Sequence, residues 1–216
     1  SQTVTAHSAL PPPDVAESVR AVCTSLLLSQ SDRELRVIMV TSAVPSEGKS
    51  TVACELARTL ADSGATTLLV ETDLRQPSLA QAFGVDGQDG LSLFLSGHRP
   101  AVKVHQTDQP GLSLVIAGPK PPNPVALLNS ERMRLFLKDM SSAFRFVILD
   151  TPPLLAVADA RVLGAQADGV LLVVRARSTS RRLIQRAQMI LQNSGVNPLG
   201  TVLNCAEDSS SMYYSR

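Results

Sequence analysis

The sequence predicts an α/β fold, with a mostly parallel central sheet sandwiched by helices. Three observations predict it. Short apolar, β-branched runs recur along the chain with helix-like stretches between most of them. Those runs are continuous rather than alternating, which means strands buried on both faces. A glycine-containing loop joins the first such run to a helix, the place where an open α/β sheet carries its ligand.

Residues Ser1 to Pro13 are polar and close on Pro11-Pro12-Pro13, which predicts an extended arm or linker over 1–13. Asp14 offers an N-cap. Val15, Val19, Val22 and Leu26 then recur at helical spacing beside Glu17 and Arg20, so an amphipathic helix to about Gln30 precedes the core.

Strands are expected at Arg36 to Thr41, Thr66 to Val70, Leu112 to Ala117, Phe146 to Leu149, Val170 to Val174 and Leu199 to Leu203. Ser50 to Ser63 has helical character and stops before Gly64. The core domain spans 14–206. The Ser-rich segment 207–216, with Tyr213-Tyr214, is expected to be a flexible tail.

Composition narrows the function. A formal net charge of +1 disfavours a nucleic-acid surface, which needs a marked excess of Lys and Arg. Aromatics are 3% and Trp is absent, so stacking platforms have little material and phosphate recognition through amides and charge is the better prospect. Cys23, Cys54 and Cys205 are odd in number and lack metal-ligand spacing, which points to a reduced, cytosolic compartment. His7, His98 and His105 are isolated from one another and from Cys, so no His/Cys metal site is expected. No apolar run approaches the length of a membrane span and no signal peptide pattern opens the chain, so a soluble domain is expected.

The segment Ser42-Ala43-Val44-Pro45-Ser46-Glu47-Gly48-Lys49-Ser50-Thr51 follows a strand and opens a helix, as a phosphate-binding loop must. It makes the fold P-loop NTPase-like. In the segment Pro45 to Thr51, the N–H groups that follow Pro45 and the helix N-terminus can surround phosphate oxygens, Lys49 can reach the β and γ groups of ATP, and the Ser50 hydroxyl can ligate Mg2+. Ala43 stands where the strict pattern has its first glycine.

Phe146 to Asp150 is an apolar strand ending in a carboxylate placed to hold magnesium. The segment Leu68-Leu69-Val70-Glu71-Thr72-Asp73-Leu74-Arg75-Gln76-Pro77 is a second strand ending in acidic residues, with Glu71 and Asp73 on one face by alternation. Lys49, Glu71, Asp73 and Asp150 are therefore the candidate catalytic residues, and Ser50, Asp73 and Asp150 the candidate metal ligands.

The loop, the Glu71/Asp73 strand and the Asp150 strand resemble the three Walker motifs of bacterial tyrosine kinases, which regulate exopolysaccharide and capsule synthesis. The resemblance continues through Gly118 to Leu128 with Asn123-Pro124, through Asp150-Thr151-Pro152-Pro153 to Asp159-Ala160-Arg161, through Ala167 to Arg175, and into the tail. Val44, where the related cell-division and partition ATPases carry a lysine, separates the chain from them.

The resemblance implies ATP-dependent autophosphorylation of a C-terminal tyrosine cluster, here Tyr213 and Tyr214, between neighbouring subunits of a ring. It also implies a membrane-spanning polysaccharide co-polymerase region as partner, fused or separate, an opposing tyrosine phosphatase, and a cytoplasmic location at the inner face of the bacterial plasma membrane. By the same resemblance Asn204 is expected to touch the adenine. A tyrosine hydroxyl titrates near 10, so it needs a base at neutral pH, and Glu71 or Asp73 is the candidate. The twelve residues beyond Asn204 reach up to about 40 Å, which fits a tail of the same chain or of a neighbour.

Three departures from the family pattern stand out. Glu71 occupies a position typically Asp, Cys23 replaces an arginine of the ring-forming helix, and only two tyrosines remain. They keep open a second reading, an ATP-binding assembly module of the polysaccharide machinery with little or no tyrosine transfer. A third, a small-molecule kinase, lacks an evident acceptor pocket or lid.

Overall fold

The computed structural model describes residues 19–24 and 34–206. The expected arm at 1–13, the residues Asp14 and Glu17, and the tail with Tyr213 and Tyr214 lie outside the described residues.

Residues 19–24 form helical turns (α1). The core then runs β1 (Val37–Ser42), α2 (Lys49–Asp62), β2 (Thr67–Glu71), α3 (Leu79–Ala82), α4 (Leu91–Leu95), β3 (His105–Gln106) and β4 (Leu112–Val115). It continues through α5 (Pro124–Leu128), α6 (Glu131–Ala143), β5 (Phe146–Asp150), α7 (Asp159–Gly164), β6 (Gly169–Arg175), α8 (Arg181–Asn193) and β7 (Pro198–Asn204). The expected strands all form, displaced by one or two residues at their ends. The short β3, which pairs antiparallel with β4, has no counterpart in the sequence expectation because two residues carry no periodicity.

The seven strands lie in the order β3-β4-β2-β5-β1-β6-β7, and every pairing except β3 with β4 is parallel. Successive residues of one strand serve opposite faces. Val37 and Met39 join Val70, Val147 and Leu172 in the layer under α4 to α8, whereas Ile38 and Val40 join Leu69, Ile148 and Val173 in the layer under α1 to α3. Both sets are apolar, so the strands read as continuous hydrophobic runs.

Helix α2 buries Val52, Ala53, Leu56, Ala57, Leu60 and Ala61 against the second layer, spacings of three and four that place one stripe on the sheet. It ends at Gly64, whose φ of 88° a β-carbon would resist. Cys23 is packed into the same layer beside Thr59, and burial pushes its thiol up to about 11. The position expected to present an arginine to a neighbouring subunit is thus part of the apolar seam between α1 and α2, while Arg20 is exposed.

The order of strands decides where chemistry can happen. β1 lies between β5 and β6, and β5 lies between β1 and β2. All four are parallel, so the segments leaving β1, β2 and β5 meet at one sheet edge, where the direction of winding reverses.

Candidate nucleotide-binding site

At that edge the chain leaves β1 at Ser42 and turns into α2 through Ala43 to Gly48. Ser46 and Gly48 have left-handed φ of 66° and 88°, which fold the backbone tightly enough for successive amides to face one point. Helix α2 begins with no side-chain cap and no acid in its first turn. Its first intrahelical amide bond is Val52 N–H to Gly48 O, so the amides of Lys49, Ser50 and Thr51 lie ahead of it with the positive end of the helix behind them. Pro45, Ser46 and Thr51 are exposed around this opening.

Glu47 does something the motif alone does not show. Its buried carboxylate accepts from the Val44 amide at 2.7 Å, from the Arg175 amide at 3.2 Å, and from the Thr179 hydroxyl. The loop is thereby fastened to the end of β6. Asn204 closes the arrangement from β7, donating from Nδ2 to Glu47 O at 2.9 Å and accepting the Cys205 amide on Oδ1. The Asn204 side chain is thus engaged with the loop backbone and its own turn.

Lys49 Nζ lies 3.3 Å from Asp73 Oδ2, 3.8 Å from Asp150 Oδ1 and 3.2 Å from Ser50 Oγ. Three segments far apart in sequence therefore converge on one ammonium. Asp73 is held by the amides of Arg75 (3.3 Å) and Gln76 (3.0 Å) on Oδ1, which leaves Oδ2 directed at Lys49. Asp150 is 1% exposed, and neither of its carboxylate oxygens has a hydrogen-bond donor. Burial pushes its pKa up to about 6, against the pull of the nearby Lys49 ammonium.

A buried carboxylate without donors fits a cation. Among the described residues no group of three or more His, Cys, Asp or Glu forms a metal cage. Magnesium at phosphate sites needs only one or two carboxylates with phosphate oxygens and water, so Ser50, Asp73 and Asp150 suit it.

Glu71 corrects an expectation. Its side chain does not join the lysine cluster. Oε1 accepts the Ser78 and Leu79 amides at 2.5 and 2.6 Å, and Oε2 accepts the Ala117 amide at 3.0 Å. Burial raises its pKa against those three donors. A carboxylate whose oxygens are all in use, 1% exposed, ties α3 and the end of β4 to β2 and is not placed to take a substrate proton. The methylene by which Glu exceeds Asp supplies this reach.

Arg75 and Asp159 carry no signal in the sequence beyond the longer segments that contain them. They form a two-point ion pair, Nε to Oδ2 at 2.7 Å and Nη2 to Oδ1 at 3.0 Å, with Asp159 fully buried at the start of α7. This clamp holds the chain after Asp73 against α7. Nothing in local spacing signals a contact across 84 residues.

The family model for ParA, described as NUBPL iron-transfer P-loop NTPase, matches residues 34–212. Tyrosine-protein kinase YwqD of Bacillus subtilis is 37% identical over 190 residues, covering 88% of this chain and 80% of its own length. The chain belongs to the bacterial tyrosine kinase family, within the P-loop NTPases. Tyrosine-protein kinase etk of Escherichia coli is 35% identical over 95% of this chain, which spans only 28% of that longer protein. The solved etk kinase domain superposes with a TM-score of 0.83 at 34% identity, covering 90% of this chain and 78% of that one. The chimerical protein CapA2B2 gives a TM-score of 0.88 at 26% identity, over 96% and 95%. The tyrosine-kinase resemblance and the P-loop, mostly parallel α/β fold expected from the sequence are both upheld. No helix among the described residues is long and apolar enough to cross a membrane.

Proposed function

We propose that this chain is an ATP-dependent protein-tyrosine autokinase that regulates exopolysaccharide or capsule synthesis and export. The observation carrying the reading is the position of Lys49, between Asp73 and a buried, donorless Asp150, at the mouth of a helix with uncapped amides. A polyanion with a divalent cation would satisfy all of these groups together.

In this reading Lys49 and the backbone N–H groups that follow Pro45, from Ser46 to Thr51, would hold the phosphates of ATP, while Ser50 and Asp150, with Asp73 alongside, would hold Mg2+. The ion would neutralise charge on the β- and γ-phosphate oxygens. Asp73 Oδ2 receives the proton of the attacking tyrosine hydroxyl as its oxygen bonds the γ-phosphorus and the bond to the β-phosphate oxygen breaks, releasing ADP. Lys49 follows the developing charge on the transferred group. In this reading Asn204, whose side chain braces the loop beside Gly48, borders the base of the nucleotide.

Tyr213 and Tyr214 are the proposed acceptors, on the same chain or on a neighbour in a ring. The proposed partners are a membrane-spanning polysaccharide co-polymerase region and an opposing tyrosine phosphatase, with the domain at the inner face of the plasma membrane. Family membership and the similarity to CapA2B2 support this placement.

The test is incubation of the purified chain with Mg-ATP followed by phosphopeptide mass measurement. Phosphate on Tyr213 or Tyr214 is expected, and its loss in Lys49→Met. Nucleotide binding without any phosphotyrosine would instead establish the assembly-module reading.

A further inference from the structure

Charge is unevenly distributed over this nearly neutral chain. Between Asp168 and Glu207 there is no acidic residue, and this stretch holds Arg175, Arg177, Arg181, Arg182 and Arg186. The remainder is net acidic, since it carries all 19 Asp and Glu against 15 Lys and Arg. All five arginines are exposed.

Their placement is consistent with one face. Ala187 and Leu191 bury the inner side of α8 in the core. Arg182, Arg186 and Met189, at spacings of four and three, form a stripe on the opposite side. Arg181 flanks that stripe, and Arg175 and Arg177 extend it toward the phosphate-binding loop, where Arg175 Nη1 donates to Ser46 O at 3.4 Å. Among the described residues Arg181, Arg182 and Arg186 form no ion pair with a carboxylate.

Of the three large hydrophobic side chains most exposed among the described residues, two border this face. Met189 is 60% exposed on α8. Leu203 is 58% exposed on edge strand β7, and because Val202 packs toward the α2 layer, alternation turns Leu203 to the α8 side.

We propose that the face formed by Arg175, Arg181, Arg182, Arg186, Met189 and Leu203 binds an anionic phospholipid surface. The guanidiniums of Arg181, Arg182 and Arg186, without carboxylate partners among the described residues, can meet lipid phosphates in two-point geometry. Apolar side chains beside them enter the headgroup boundary, the combination that holds basic amphipathic helices at interfaces. Gln185, Gln188 and Gln192, further polar side chains of this helix, are neutral and exposed, and no carboxylate of α8 opposes an anionic surface. Bound in this way, the domain lies with its β6–α8 side on the bilayer through its own side chains, independently of any fused or separate membrane partner.

The experiment is co-sedimentation of the 216-residue chain with vesicles of phosphatidylglycerol and phosphatidylcholine, against vesicles of phosphatidylcholine alone. Pelleting is expected only with the anionic vesicles, declining as salt is raised. Each arginine strengthens partitioning roughly fivefold, so Arg182→Gln/Arg186→Gln should weaken it about 25-fold. Its Mg-ATP affinity and melting temperature, unchanged, report an intact fold. Equal pelleting with both vesicle types, or a double variant that pellets like the parent, overturns the proposal. Tighter binding of polyglutamate or duplex DNA than of anionic vesicles also overturns it, by giving the face to a protein or nucleic-acid partner.

Discussion

The Asn204 amide occupies the space a side chain at Gly48 would need: a β-carbon there would collide with Asn204 Nδ2. The last strand of the sheet thus reports on the geometry of the loop after the first, through the bond from Asn204 to Glu47 O. The position just ahead of the lysine favours glycine because of its φ of 88°, and a side chain there would also displace the Asn204 amide from its bond to the loop.

Gly48→Ala should therefore disable the loop rather than adjust it. The left-handed conformation alone costs ~1–2 kcal/mol with a β-carbon, and Asn204 must also move. Calorimetry should show Mg-ATP affinity lowered at least tenfold, with a melting temperature several degrees lower. Parent-like affinity would show that nucleotide is not held by this backbone.

Glu71 should behave as a structural carboxylate. Glu71→Ala strands the buried amides of Leu79 and Ala117 and the Ser78 amide, at ~1–3 kcal/mol for each buried donor. Urea unfolding should show that loss. Glu71→Asp, although it restores the residue typical of the family, should also be less stable, because the shorter arm cannot serve α3 and β4 at once. A Glu71→Asp protein of full stability with raised phosphorylation would return Glu71 to the catalytic group.

Asp150 should make the nucleotide-free protein less stable as pH rises. Its folded pKa of about 6 lies above the ordinary 3.8, so between these values the folded state holds more protons than the unfolded state. Stability contributed by the protonated form is present at low pH and is lost as pH rises toward 6. Asp150→Asn removes this cost, which is on the order of 2–3 kcal/mol above pH 6. Without nucleotide, the variant's advantage in melting temperature should grow from pH 4 to 6 and then level. Stabilisation by Mg-ATP should disappear in the variant, and in the parent it should fade as pH drops below about 6 and the carboxylate is protonated. A flat difference across pH 4 to 7 would contradict the burial of this charge.

Arg75 should matter more for stability than its partly exposed position suggests. Arg75→Ala leaves the fully buried Asp159 carboxylate without its partner, at up to ~3 kcal/mol. Arg75→Ala/Asp159→Asn should recover most of that loss, since no buried charge remains. Equal losses in the single and double variants, measured by denaturant, would show that the pair is incidental.

The sequence by itself determined the parts of the molecule whose physics is local. Continuous apolar strands, a helix stripe in α2 and a glycine ahead of Lys49 follow from spacing and backbone freedom within a few residues, so the fold class, the phosphate loop and the acidic strand ends were legible in it. The tertiary structure alone decided how those ends are used. Glu71 and Asp73 are two residues apart, yet one is consumed by the amides of Ser78, Leu79 and Ala117 while the other faces Lys49. Cys23 in the α2 seam, Glu47 tied to Arg175 and Thr179, and Asp159 beneath Arg75 depend likewise on strand order and helix packing, which bring together groups that no local pattern relates.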